Sequence, residues 1–124
     1  MMTADTCTIG PEEVVASYRK TGIPVLRYDW LEMSAFSGDA VGCCGLTAVA
    51  LARGRVRLSA LATCRDIDLV VGRGALSLDP EWQQGFIWGF EGEQMLGLID
   101  NEGRGYACGA AAWRAVVDAG LASD

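Results

Sequence analysis

Cys43 and Cys44 stand side by side at the start of an apolar run, where a helix N-terminus can lower a thiol pKa and make a nucleophile. Nothing else in the chain supplies the usual base, because it contains no histidine. That removes Cys–His and Ser–His catalysis, His-containing metal sites and the common proton acceptor near neutral pH. An enzyme built here would have to work with thiols, carboxylates or arginine. The five cysteines (Cys7, Cys43, Cys44, Cys64, Cys108) form no C-x-x-C pair, so a four-Cys zinc site lacks its paired spacing and neither metal nor cofactor is expected. Cys43, Cys44 and Cys108 lie among Gly and Ala, where a thiol reads more plainly as a small buried hydrophobe. Reduced thiols in a cytoplasmic protein are the expectation.

Two other constellations carry potential binding chemistry. Residues 53–73 hold Arg53, Arg55, Arg57, Arg65 and Arg73 against only Asp66 and Asp68. If Arg55, Arg57, Arg65 and Arg73 converge, their planar forks suit the phosphate or carboxylate of a small anionic ligand; otherwise they are solvated surface charges. The second is the run Gly85-Phe86-Ile87-Trp88-Gly89-Phe90-Glu91-Gly92. Asp79, Pro80 and Glu81 start a helix there as N-cap, first helical residue and dipole partner. Wheel positions put Trp82, Gly85, Phe86, Gly89 and Phe90 on one face. Ile87 and Trp88 then turn the other way, beside Gln84 and Glu91, either buried by another part of the chain or forming a contact with a partner or a second copy.

Glycine costs about 1 kcal/mol against alanine inside a helix, so Gly85 and Gly89 need a reason. Gly105 and Gly109 repeat their four-residue spacing in the last helix. The reading is that two helices cross at bare backbone, with Trp82, Phe86, Tyr106 and Trp113 around the contact. Gly103-Arg104-Gly105 ahead of a helix resembles an anion cradle, yet no P-loop or dinucleotide fingerprint is complete. The turn at Ala75–Trp82 resembles the entry to a DNA-reading helix. That helix carries Glu81 and Glu91 and no Lys or Arg, the wrong charge for the task.

The elements follow from these signals. A first helix spans Pro11 to Thr21, with Val14, Val15 and Tyr18 inward and Gly22 as its stop. Ile23–Trp30 is a short strand or extended arm, and Ser34–Gly42 a loop. A central helix, apolar nearly all round, runs from Cys43 to Arg53. Arg55–Leu58 reads as a short strand. A third helix from Ser59 to Val71 has Ala60, Cys64, Ile67 and Val71 on one face, although Asp66–Leu69 alternates as a strand would. Gly72 and Gly74 break it. The fourth helix is Pro80–Glu91 and the fifth Arg104–Ala119, with a stripe of Tyr106, Gly109, Ala110, Trp113, Val116 and Val117.

Charge and length set the outer limits. The 124 residues suffice for one domain with a core of its own, and residues 1–8 are expected to be disordered. Net charge is −6, which argues against nucleic acid as the main partner. The longest uncharged apolar run, residues 40–52, is too short to span a bilayer, so no membrane is expected. The N-terminus has no basic and apolar leader, hence the cytoplasmic assignment.

The order of signals is similar to that of small bacterial proteins of unknown function. These carry a Cys-Cys-x-Leu-Thr-Ala segment (Cys43-Cys44-Gly45-Leu46-Thr47-Ala48 here), a Gly-Phe-x-x-Gly-Phe-acid-Gly segment (Gly85 to Gly92) and a closing Gly/Ala-rich helix. The resemblance covers residues 11–118 and departs at Gly45, where proline is expected. It implies no activity, so no role passes to any residue.

The sequence therefore predicts a mainly α fold: a compact single-domain bundle of about five helices with one short β-hairpin or extended arm. The function it favours is a non-enzymatic binding or interaction module, self-associating or blocking a protein partner. Ile87, Trp88, Gln84 and Glu91 would serve as contacts, and Arg55, Arg57, Arg65 and Arg73 as an anion site. A small thiol- or carboxylate-dependent enzyme is the alternative.

Overall fold

Asp79 shows how closely local chemistry sets this fold. In the computed structural model, which describes residues 7–124, its carboxylate accepts from the backbone N–H groups of Glu81 and Trp82, both at 3.1 Å. These bonds satisfy two of the orphan donors at a helix start. The helix they cap, α4 (Pro80–Glu91), buries Trp82, Gly85, Phe86, Gly89 and Phe90, the face its periodicity predicts. Asp79→Ala is expected to cost about 1 kcal/mol, read as a lower urea midpoint with an unchanged m-value.

The architecture is mainly α, with one short antiparallel hairpin. Helix α1 (Pro11–Thr21) has its predicted bounds and buries Val14, Ser17 and Tyr18, while Val15 is only half-buried. Residues 23–30 form an extended arm whose Val25 bridges Cys43 in parallel register. The hairpin joins β1 (Leu31–Met33) to β2 (Ala40–Cys43), pairing Leu31 with Cys43 and Glu32 with Gly42. The predicted loop thus shrinks, because Ala40–Gly42 belong to a strand. Cys43 is also lost to the central helix. Its N–H donates to the Pro24 carbonyl, and its own carbonyl accepts from the Leu26 N–H and the Tyr18 hydroxyl. Helix α2 (Gly45–Ala52) consequently starts two residues late, and it is buried from Gly45 through Ala50.

The predicted third helix is split. Helix α3 (Leu58–Ala62) buries only Leu61, and Ala60 on the expected inner face is exposed. Arg55–Leu58 forms no strand. A π-helical segment follows at Leu69–Ala75, so Gly72 and Gly74 lie inside a helix they were expected to end. The wider π turn sets Gly72 against Gln83 of α4, whose carboxamide fills the space a side chain would take. Helix α5 (Asp100–Asp118) starts four residues early and encloses Gly103-Arg104-Gly105, so the anion cradle does not exist. Its buried face is Gly105, Cys108, Gly109, Ala112, Trp113 and Val116; Ala110 of the expected stripe is exposed, and Tyr106 and Val117 are half-buried.

The glycine crossing is present. A Cβ on Gly85 or Gly89 would overlap the carbonyl oxygens of Glu102 or Tyr106, and one on Gly105 or Gly109 those of Trp82 or Phe86. The two helices touch backbone to backbone, a spacing at which Cα–H···O contacts add a little attraction. Along this seam Trp82, Phe86 and Phe90 stack in sequence, and Phe90 meets Trp113 edge-on at 5.5 Å.

One expectation at the N-terminus fails. Cys7 and Cys108 are joined by a disulfide, with Cα atoms 5.8 Å apart. The bridge anchors residues 7 and 8, expected to be disordered, and it contradicts fully reduced thiols. The remainder of that expectation lies outside the described residues. Ile9, two positions on, is fully buried in the core.

Candidate functional site

Besides Ile23, Val25 and Trp30, which pack against the core, the arm reaches the helices through a cation. Arg27 lays its guanidinium over the Trp113 ring, 3.9 Å from the centroid, and its Nε donates to the Phe90 carbonyl at 2.9 Å. Gly92, just past the end of α4, leaves the space that Arg27 occupies; a Cβ there would sit 2.5 Å from Nη2. The rest of the arm, Tyr28-Asp29-Trp30, is thereby held across the end of α4 and the start of α2. A pocket of about 100 Å³ remains between them. Leu46, Phe86, Ile87 and Phe90 form its apolar wall, Trp30 and Cys44 flank it, and Asp29 and Glu91 stand at its charged side.

Glu91 is the anomalous group of this pocket. It is half-buried, and among the described residues it has neither a hydrogen-bond nor an ion-pair partner. Burial pushes its carboxyl above the usual range; Glu93 and Asp29 add to the rise, while Arg27 opposes it. Three carboxylates and one cation therefore share this end of the molecule, and the cation is already engaged by a ring and a carbonyl.

The thiols beside it are not poised for chemistry. Cys43 and Cys44 are both buried, and burial pushes each thiol well above its ordinary value. The Cys44 Sγ lies 3.5 Å from the Thr47 hydroxyl, a contact that lowers its pKa without outweighing desolvation. Both remain protonated near neutral pH, and the Glu91 carboxylate adds to the rise at Cys44.

The sequence-predicted contacts separate into two groups. Ile87 and Glu91 meet at the pocket, although Ile87 also packs against the core and is not a free contact. Trp88 is half-buried and stands outside the core cluster, and Gln84 is exposed. The predicted arginines line neither concave surface. Arg55 and Arg57 lie near the start of α3, Arg65 follows α3 and Arg73 sits in the π segment; all four are exposed, and none lines the pocket beside α4 or the groove between α1 and α5. Arg53 instead grips Glu13 with two bonds of 2.7 and 2.8 Å, tying the end of α2 to α1.

Arg27, Asp29 and Trp30 were not predicted as site residues. Their signal was present in Arg27-Tyr28-Asp29-Trp30, where two opposite charges alternate with two large aromatics in an otherwise apolar arm. Among the described residues no group of three or more Cys, Asp or Glu is placed to hold a metal ion, and no helix is long and apolar enough to cross a membrane.

No protein-family model, curated protein or solved structure matches this chain. The site itself is therefore the guide to function.

Proposed function

We propose that this chain is a non-enzymatic binding module whose contact point is the pocket between the arm and α4. Its ligand has a compact apolar body and a positively charged head. The apolar body fits against Leu46, Phe86, Ile87 and Phe90, and the head meets Glu91 and Asp29. Glu91 carries the reading. A half-buried carboxylate without a partner disfavours its own charged form, and a cation arriving at the rim relieves that cost. Trp88 and Gln84, on the neighbouring surface of α4, extend the contact if the cation belongs to a protein partner. The anion reading of the arginine segment receives no support from either concave surface, because none of its four arginines lines one. The expected cytoplasmic setting has the Cys7–Cys108 bridge against it, because disulfides persist chiefly in oxidising compartments.

Amide NMR titration with arylalkylamines and with carboxylates of matched size tests this. The amines are expected to shift residues 27–30 and 87–91 selectively. Glu91→Gln is expected to weaken amine binding about ten-fold, the scale of one charge-assisted contact. The same variant should not lower the thermal midpoint at neutral pH, because it removes a charge the fold disfavours. A carboxyl raised above its unfolded value contributes stability at low pH and loses it as pH rises through the folded value. Equal binding of the carboxylates, or shifts confined to another face, would sink the proposal.

A further inference from the structure

A second concave surface lies between α1 and α5. It is a groove of about 410 Å³ with Val15, Ala16, Ala111 and Ala115 as its floor. Its charged rim has one acid and one base on each helix: Glu12 and Arg19 on α1, Arg114 and Asp118 on α5. All four are exposed, and Ala16 and Ala111 are exposed on the floor. Arg114 makes one loose contact, 3.9 Å from the Asp124 carboxylate, between two solvated side chains. We infer that this groove is a self-association face, whose occupant is a second copy of the chain related by a two-fold axis.

Charge supports the choice of partner. Each chain carries −6, so two copies repel, and a stable self-contact needs a face whose own charges cancel. The groove rim is such a face, whereas the pocket side of α4 carries an excess of carboxylates. The spacing also fits. Glu12 and Arg19 are about 10 Å apart along α1, and Arg114 and Asp118 about 6 Å along α5, from the helical rise. Their midpoints fall at Val15–Ala16 and at Val116, beside Ala115, so both coincide with the apolar floor. A two-fold axis crossing the helices there lays α1 antiparallel on α1 of the second copy and α5 on α5. Glu12 then faces Arg19 of the other copy, and Arg114 faces Asp118, each pair formed twice. The alanine floor lets the two surfaces approach closely before side chains intervene. This inference does not depend on the pocket proposal.

Sedimentation velocity of the full chain, from micromolar to near-millimolar protein, tests it. A reversible dimer weakened by salt is expected. Arg19→Glu turns two attractive pairs into repulsive ones and should raise the dimer dissociation constant about ten-fold or more. The double variant Glu12→Arg/Arg19→Glu restores opposite charges across the axis and should recover the dimer. Circular dichroism melts of each variant separate lost association from lost folding. A monomer at every concentration, a dimer indifferent to Arg19→Glu, or a double variant that fails to recover overturns the inference. So does native mass spectrometry of a monomer carrying some other molecule in the groove.

Discussion

Gly105→Ala is expected to destabilise the protein by about 3–5 kcal/mol, lowering the thermal midpoint by roughly 10–20 °C in a domain of this size. On an isolated helix the same change would stabilise by about 1 kcal/mol. The sign reverses because the added methyl would overlap the Trp82 carbonyl oxygen and crowd the Phe86 nitrogen, both backbone atoms. A flexible side chain can swing away from a new methyl; a helical carbonyl cannot leave without carrying its helix. Helices α4 and α5 would separate along the seam, loosening the row from Trp82 through Phe90 to Trp113 and withdrawing the ring beneath Arg27. Gly89→Leu should cost at least as much, because the Tyr106 carbonyl blocks it in the same way. Gly74→Ala is the control: it also lies inside a helix, yet its methyl would meet only the Leu69 carbonyl at an ordinary 3.6 Å. If Gly105→Ala melts within a few degrees of the parent and of Gly74→Ala, the backbone crossing is not what holds these helices.

That crossing was legible because several local signals agreed. Asp79-Pro80-Glu81 set the start of α4, and its apolar face followed from the helical period. Glycine repeated at four residues on two helices weakens both unless their backbones meet there. Signals failed where tertiary hydrogen bonds overrode them. Cys43 looks helical by composition, but Pro24, Leu26 and Tyr18 claim its backbone for the arm and hairpin. Gly72 and Gly74 looked like helix breakers. The structure uses the missing side chain of Gly72 to admit Gln83, and that requires knowing where α4 lies.

The site shows the same division. Ile87 and Glu91 emerged from the face of α4 that the core left over, a property of one helix. Arg27 and Asp29 reach them across more than fifty residues of sequence, a relation that no local period encodes. The arginine segment was read both ways for the complementary reason. Proximity in sequence was the sole basis for convergence, and the breaks around α3 and the π segment leave all four side chains exposed and outside both concave surfaces.

The Cys7–Cys108 bridge is expected to contribute about 2–4 kcal/mol, and reductant should expose the whole of it. The two residues are 101 apart in sequence, so the bridge restrains a loop spanning most of the chain in the unfolded state. For loops of that length the chain-entropy account gives close to 5 kcal/mol as an upper figure, and measured values usually fall below it. The folded state adds a second effect. The bridge fixes one end of the segment whose Ile9 is fully buried, while α1 fixes the other end at Pro11. Without it, the segment can peel from α5 and admit water beside Cys108, which is buried next to the glycine seam. Cys7→Ser is the cleaner probe, because Cys7 is half-buried and the change leaves the packing of Cys108 in place. The variant should melt where the reduced parent melts and should not respond to dithiothreitol. Alkylation of unfolded, unreduced protein should modify only Cys43, Cys44 and Cys64. Five modified thiols, or a parent whose melting ignores reductant, would show that the bridge neither forms nor matters. The anchoring of the first described residues would then have to come from the burial of Ile9 alone.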